Sequence, residues 1–277
     1  MTRALVITTV AIVAILCCCT PGNAQTPDEL SITPSRVVFS EGARVTETVM
    51  LKNRGSDTLY YELLITNYRM TDTGTFEELS EPDSGQFFAD PFIRFAPREV
   101  ILPPNGSIPI KISCLRANDL ATGEYRSHLV IRLARRRGGG GSSASDDDPE
   151  YGVAVPLIVR QGVLTSSIVI PYLTIDLLPA DQQRSVIAVA TTRLERSGTS
   201  STYGDVSIWY VKEGGAPVLV GAARGVALYT PNRWRILRIP LHLPEGTRLE
   251  AGLLRLEYRD RSGPEGLLLA RIEVPVD

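Results

Sequence analysis

The twelve residues YGVAVPLIVRQG, Tyr151 to Gly162, set the pattern for the chain. Val153, Val155, Leu157 and Val159 occupy alternate positions, so an extended backbone puts all four on one face. The opposite face carries Ala154, Pro156, Ile158 and Arg160 and is also mostly apolar. A strand apolar on both sides is either central to a packed sheet or in contact with a second body. Before it lies ARRRGGGGSSASDDDPE, too polar and too rich in glycine to pack; after it, Gln161 and Gly162 open a segment with a fresh set of strands. This strand therefore closes one domain and leads into the next.

From Leu30 onward no convincing amphipathic helix appears. Short runs rich in Val, Ile, Leu, Thr and Tyr alternate with turn formers such as Glu41-Gly42, Arg54-Gly55-Ser56-Asp57 and Pro103-Pro104-Asn105-Gly106. The runs of the first half are SITPSRVVFS, ARVTETVMLKN, LYYELLITNYRMT, FIRFAPREVIL, SIPIKISCLR, EYRSHLVIRLARR and the strand above. In the third, Leu59, Tyr61, Leu63 and Ile65 point one way and Tyr60, Glu62 and Thr66 the other, as in a half-buried antiparallel strand. About seven such strands in this length predict an immunoglobulin-like sandwich. A comparable second set runs from SSIVIPYLTIDLL to GLLLARIEVPV, with turns at Gly198, Gly214-Gly215, Pro231-Asn232 and Pro244-Glu245-Gly246. The fold expected is all-β, with an N-terminal sandwich over residues 25–161 and a C-terminal one over 162–277.

Composition narrows the function classes. Hydrophobic content of 43% and charged content of 22% are globular values, and a formal net charge of −2 argues against a nucleic-acid partner. At the N-terminus, Arg3, the apolar run Ala4 to Leu16 and the small-residue end Gly22-Asn23-Ala24 predict a secretory signal peptide over residues 1–24. The apolar run is shorter than the roughly 20 residues that span a membrane. Cys17, Cys18 and Cys19 close that run and offer lipidation as an alternative. Cleavage after Ala24 would leave Cys114 as the single cysteine; on the face it shares with Ile108, Ile110 and Ile112 it is expected to be a small buried hydrophobe.

Candidate catalytic chemistry is sparse. His128 and His242 are the only histidines and fall on different predicted strands, too few for a zinc site or a Ser-His-Asp triad. No phosphate-binding glycine loop follows a strand, and Asp146, Asp147 and Asp148 are consecutive, unlike the alternating ligands of a calcium loop. The expectation is a protein with no cofactor, no metal, no small-molecule substrate and no enzymatic activity.

Four segments, SITPSRVVFSEG, FIRFAPREVILPPNGSIPIKI, ATGEYRSHLVIR and VAVPLIVRQG, resemble in order the first, middle, sixth and seventh strands of the PapD-like periplasmic chaperones of pilus assembly. TRLERSGTSSTYGDVSIWY resembles the opening of the smaller domain of such proteins more loosely. The resemblance implies two immunoglobulin-like β-sandwich domains set as an L with a cleft between them. It also implies a periplasmic chaperone-like function: pilin-like subunits bound by edge-strand pairing while a surface structure is assembled, with an outer-membrane usher as a further partner. In such strand donation, main-chain hydrogen bonds supply affinity and alternating side chains fill the guest's groove.

Carried over by position, the resemblance puts Arg36 and Arg160 in the subunit-binding cleft, Arg36 as a carboxylate-binding residue and Arg160 also as a member of the interdomain ion network. Edge pairing falls to Val153, Val155, Leu157 and Val159. The family's cleft lysine falls on Pro156, its apolar donor stretch on Ser145 to Tyr151, and its sixth-strand acid on Arg126, with Glu124 two residues earlier on the same face. For the four strand residues ordinary core packing stands beside partner contact, and for Arg36 an interdomain salt bridge stands beside carboxylate binding. A structural or adhesive sandwich protein without a client is the rival reading, and exposed strand edges also invite self-association.

Overall fold

The computed structural model describes residues 30–42, 45–116, 119–134, 152–178, 187–243, 251–261 and 266–276. The predicted signal peptide, Cys17 to Cys19, the acidic loop and Ser145 to Tyr151 lie outside these residues. The first half supplies β1 (Leu30–Thr33), β2 (Val37–Phe39), β3 (Thr46–Asn53), β4 (Leu59–Thr66), β5 (Tyr68–Met70) and β6 (Phe76–Glu78). It continues with β7 (Ile93–Ala96), β8 (Glu99–Leu102), β9 (Ser107–Cys114), β10 (Gly123–Leu133) and β11 (Gly152–Gln161). The second half supplies β12 (Ser166–Val169), β13 (Leu173–Leu178), β14 (Ile187–Gly198), β15 (Thr202–Lys212), β16 (Val218–Leu228), β17 (Trp234–Pro240), β18 (Gly252–Asp260) and β19 (Leu268–Val276). One short 3₁₀ turn, Asp90–Phe92, is the only helical element among the described residues. The architecture is all-β, with two sandwiches.

In the first sandwich a sheet ordered β1-β3-β9-β7 faces one ordered β2-β11-β10-β4-β8. Three stretches that read as single strands in the sequence are each divided: LYYELLITNYRMT into β4 and β5 around Asn67, and two more at a proline. SITPSRVVFS breaks at Pro34, and FIRFAPREVIL breaks at Pro97; the chain then crosses from the first sheet to the second. Proline has no N–H to give a ladder, so a strand that meets one is free to leave its sheet. Inward residues of both sheets form one core: Val49 and Leu51, Ile110, Ile112 and Cys114, Leu59 and Leu63, and Leu129 and Ile131. Burial raises the pKa of the Cys114 thiol and keeps it neutral, in line with a packing role.

The second sandwich places β16-β15-β18-β19 against a sheet centred on β14. That long strand pairs with β12 near its end and β13 near its start on one side, and with β17 on the other. Its core includes Leu194, Ile208, Val220, Leu254, Leu256 and Tyr258.

Strand β11 explains its own two-faced sequence. Val155, Leu157 and Val159 enter the first core, while Ile158 enters the second, with Val38 of β2 packed beside it. The strand is both central to a sheet and in contact with a second body.

A small hairpin adds a second tie: the end of the run LYYELLITNYRMT forms β5 and pairs with β6. Met70 packs into the second core, Asn232 Nδ2 donates to the Met70 carbonyl at 2.7 Å, and the Ile236 N–H donates to the Asp72 carbonyl at 2.7 Å. At the tip Gly74 has φ +87°, and a Cβ there would overlap the Arg235 guanidinium. Gly74→Ala combines an unfavourable backbone with that clash, so a loss of about 1–3 kcal/mol is expected. Urea unfolding measures it, and an unchanged midpoint would show that the tip is free to move away from Arg235.

Candidate functional site: the interdomain cleft

The site is organised by one strand whose two faces differ in chemistry. Along β10, Tyr125, Leu129 and Ile131 point into the first core. Glu124, Arg126 and His128 alternate with them and point the other way, yet they are only 3%, 2% and 2% exposed. The second sandwich covers this face, so three ionisable residues are buried in the joint between the bodies.

Glu124 is the hub. Its carboxylate accepts from Arg160 Nε at 3.0 Å, directly across the β10–β11 register. It accepts from the Ser201 N–H of the second body through both oxygens, at 3.0 and 3.1 Å, and from the Thr230 hydroxyl at 3.4 Å. Arg160 Nη2 donates to the Ser201 carbonyl at 3.2 Å, so one residue of the second body is gripped through both its N–H and its C=O. Arg196 shapes that grip. Its guanidinium donates only to main-chain carbonyls, those of Gly198, Ser200 and Asn232, and so ties the turn before Ser201 to the turn after Thr230.

The resemblance placed the acidic partner of the ion network at Arg126, with Glu124 two residues earlier on the same face. In the structure the carboxylate paired with Arg160 is that of Glu124, its register partner. Arg126 lies over the Tyr229 ring at 4.2 Å and donates to the Tyr68 carbonyl at 2.9 Å. Its Nε and Nη1 are buried without a hydrogen-bond partner, and burial pulls its pKa down to about 10. His128 sits among the rings of Tyr68, Phe76 and Tyr229, and neither of its ring nitrogens has a hydrogen-bond partner.

Arg36, just before β2, reaches the same joint from the other side. Its guanidinium lies 4.9 Å from the centre of the Tyr203 ring and makes one long hydrogen bond, Nη2 to Ser201 Oγ at 3.4 Å. Its Nε is buried with no hydrogen-bond partner. Burial first, and then the neighbouring Arg160, lower its pKa. Arg36, Arg160, Ser201 and Tyr203 line an open cleft of about 450 Å³ between the bodies. Four buried or half-buried arginines, Arg36, Arg126, Arg160 and Arg196, thus surround the carboxylate of Glu124.

The strand residues are placed less uniformly than the sequence reading assigned them. Strand β2 lies parallel on β11 over Leu157 to Val159, so Leu157 and Val159 are not on an open edge. Both, with Val155, are 0–1% exposed in the first core. Beyond β2, the outer edge of β11 from Gly152 to Pro156 has no partner strand among the described residues. Val153, at 36% exposure, is the one of the four whose side chain reaches solvent there. Pro156 is buried and stands opposite His128.

Ser201, Tyr203, Arg196 and Tyr229 were not picked out from sequence. The first three lie in TRLERSGTSSTYGDVSIWY, but nothing local in that string marks Ser201 as a partner of a residue 77 positions away. Among the described residues no cluster of His, Cys, Asp or Glu has the arrangement to hold a metal ion, and no helix is long and apolar enough to cross a membrane.

No family model matches the sequence, and no curated protein sequence matches it. Solved structures of fimbrial chaperones do align over nearly the whole chain. The class 5 fimbriae chaperone CfaA is 12% identical with a TM-score of 0.42, over 90% of this chain and 99% of its own. The chaperone–tip adhesion subunit complex CsuC–CsuE of Acinetobacter baumannii gives 11% and 0.43, over 88% and 97%. The SafA pilin–SafB chaperone complex of Salmonella enterica gives 12% and 0.39, over 89% and 96%. Likeness at this level carries no functional argument.

Proposed function

We propose that this chain is a periplasmic chaperone-like protein that holds the C-terminal carboxylate of an exported, pilin-like subunit in its interdomain cleft. The observation that carries the reading is Arg36: a guanidinium in an open cleft, with a buried Nε lacking a partner and, among the described residues, no salt bridge to a carboxylate. A buried donor without an acceptor is costly, and a carboxylate's two oxygens suit the guanidinium fork. The neighbouring Arg160 is already committed to Glu124 and acts by fixing the joint.

Edge pairing completes the contact. The outer edge of β11 from Gly152 to Pro156 offers main-chain groups to a guest strand, apart from the N–H that Pro156 lacks. The ladder is short, so the anchor carries a larger share of affinity than the strand. An usher that receives the bound subunit is the further partner in this scheme.

Co-expression with candidate subunits and recovery from periplasm tests the reading. Arg36→Ala is expected to weaken subunit binding about 10- to 100-fold, the range for a lost charge-assisted pair, while Arg36→Lys keeps part of it. Unchanged retention by Arg36→Ala would remove the anchor. The sealing of Leu157 to Val159 by β2 favours the rival, a structural or adhesive sandwich with no client. Amide exchange separates the two: Gly152 to Ala154 become protected on subunit binding if a guest strand docks there, and stay unchanged in the rival case.

A further inference from the structure

We infer that Arg261, from the second sandwich, is a second carboxylate-binding side chain of the cleft, so that a bound carboxylate is held by one guanidinium from each body. The inference rests on the carboxylate-anchor reading above and extends it to a residue that neither the sequence pattern nor the family resemblance indicates.

Arg261 follows β18 and lines the same cleft as Arg36. The two guanidiniums share one aromatic ring: Arg36 lies 4.9 Å and Arg261 5.7 Å from the centre of Tyr203. Arg261 Nη1 donates to the Tyr203 hydroxyl at 3.1 Å. Among the described residues its salt bridge is a long one: Nε is 3.5 Å from Asp205 Oδ1, an oxygen that already accepts the Gly225 N–H at 2.7 Å. Asp260 also lines the cleft, and its Oδ1 accepts the Leu267 N–H at 2.6 Å. The side chain of Arg261 is 44% exposed, so it is accessible to a ligand without rearrangement of a core.

The need for a second cation is independent of this geometry. A carboxylate has more acceptor capacity than one guanidinium fills when that guanidinium is half engaged elsewhere. Arg160 has Nε on Glu124 and Nη2 on the Ser201 carbonyl. Position 156, where the resemblance would put a lysine, is proline. Arg36 and Arg261 both lie against the Tyr203 ring and line the same cleft, so one anion held there would be attracted by both charges. Because each comes from a different sandwich, binding an anion also tightens the joint.

The test uses the mature chain with acetate as the probe, at constant ionic strength, following the arginine Nε–Hε resonances. Acetate is expected to move the Arg36 and Arg261 signals along one saturation curve. Arg261→Gln should weaken binding, read on Arg36, by about five- to tenfold, the loss of one charge-assisted contact. Arg261→Lys should restore part of it, and Tyr203→Phe, which removes only the hydroxyl, should stay within about twofold. Equal affinity in Arg261→Gln and wild type, with loss in Arg36→Gln, would overturn the role of Arg261 and leave the Arg36 anchor standing. No response of Arg36 in the wild type would overturn both. A loss in Tyr203→Phe equal to that in Arg261→Gln would mean that Arg261 only positions the ring, and overturns the inference. Inorganic phosphate, run in parallel, is expected to bind no more tightly than acetate; a response to phosphate alone would overturn the carboxylate assignment.

Discussion

Replacing Glu124 with glutamine is expected to cost about 3–5 kcal/mol of stability, the usual penalty when one member of a buried ion pair is removed. The side chain of Glu124 is fully buried, and it accepts from Arg160, Thr230 and the Ser201 N–H. Without its charge, Arg36, Arg126, Arg160 and Arg196 are left around a neutral amide. Urea unfolding is expected to show a lower midpoint, and the Ser201 amide should lose exchange protection before the cores of either sandwich. Adding Arg160→Gln should recover part of the loss, because the uncompensated charge goes with it. A single variant with wild-type stability would mean that apolar contacts such as Ile158 with the second core hold the joint without the ion network.

The second large effect is a loss of stability in mild acid traced to His128. Burial, and then the charge of Arg126, hold its imidazole down to about 3 from the ordinary 6.5. The groups packed on it are Tyr68, Phe76 and Tyr229, with Arg126 on its own strand and no carboxylate among them. The unfolded chain takes up a proton near pH 6.5, whereas the folded one resists until about pH 3. The contribution is therefore complete above pH 6.5 and is lost as pH falls, by up to about 1.4 kcal/mol per unit, or roughly 3 kcal/mol by pH 4. Below about pH 3 the folded state binds the proton too, and this dependence flattens. Comparing the stability–pH slopes of wild type and His128→Leu isolates the effect from that of carboxylates elsewhere. Equal slopes between pH 6.5 and 4 would show that water reaches the ring in the folded protein.

Much of the fold was legible because alternation is local. Leu59, Tyr61 and Leu63 face the core as the period of two requires, and Cys114 is buried beside Ile110 and Ile112. Proline positions were visible, but their consequence was not: whether Pro34 or Pro97 bends a strand or moves it to another sheet depends on which sheet lies within reach. The β5–β6 hairpin was not legible as a hairpin because Phe76 to Glu78 are exposed and its ties to the second body, through Met70, Phe76 and the tip carbonyls, reach residues distant in the chain.

The candidate site divides in the same way. The sequence alone determined an all-β chain in two halves, a seventh strand apolar on both faces, and an arginine at position 36 ahead of the second strand. These follow from backbone periodicity and turn chemistry, which act over a few residues. Only the tertiary structure decided that Glu124, not the residue at 126, answers Arg160, that β2 closes β11 over Leu157 to Val159, and that Arg261 and Arg36 meet at the Tyr203 ring. Each of these is a pairing between residues distant in the chain. Which partners meet is settled by how two sandwiches bury Ile158 and Val38 between them, and no local pattern encodes that geometry.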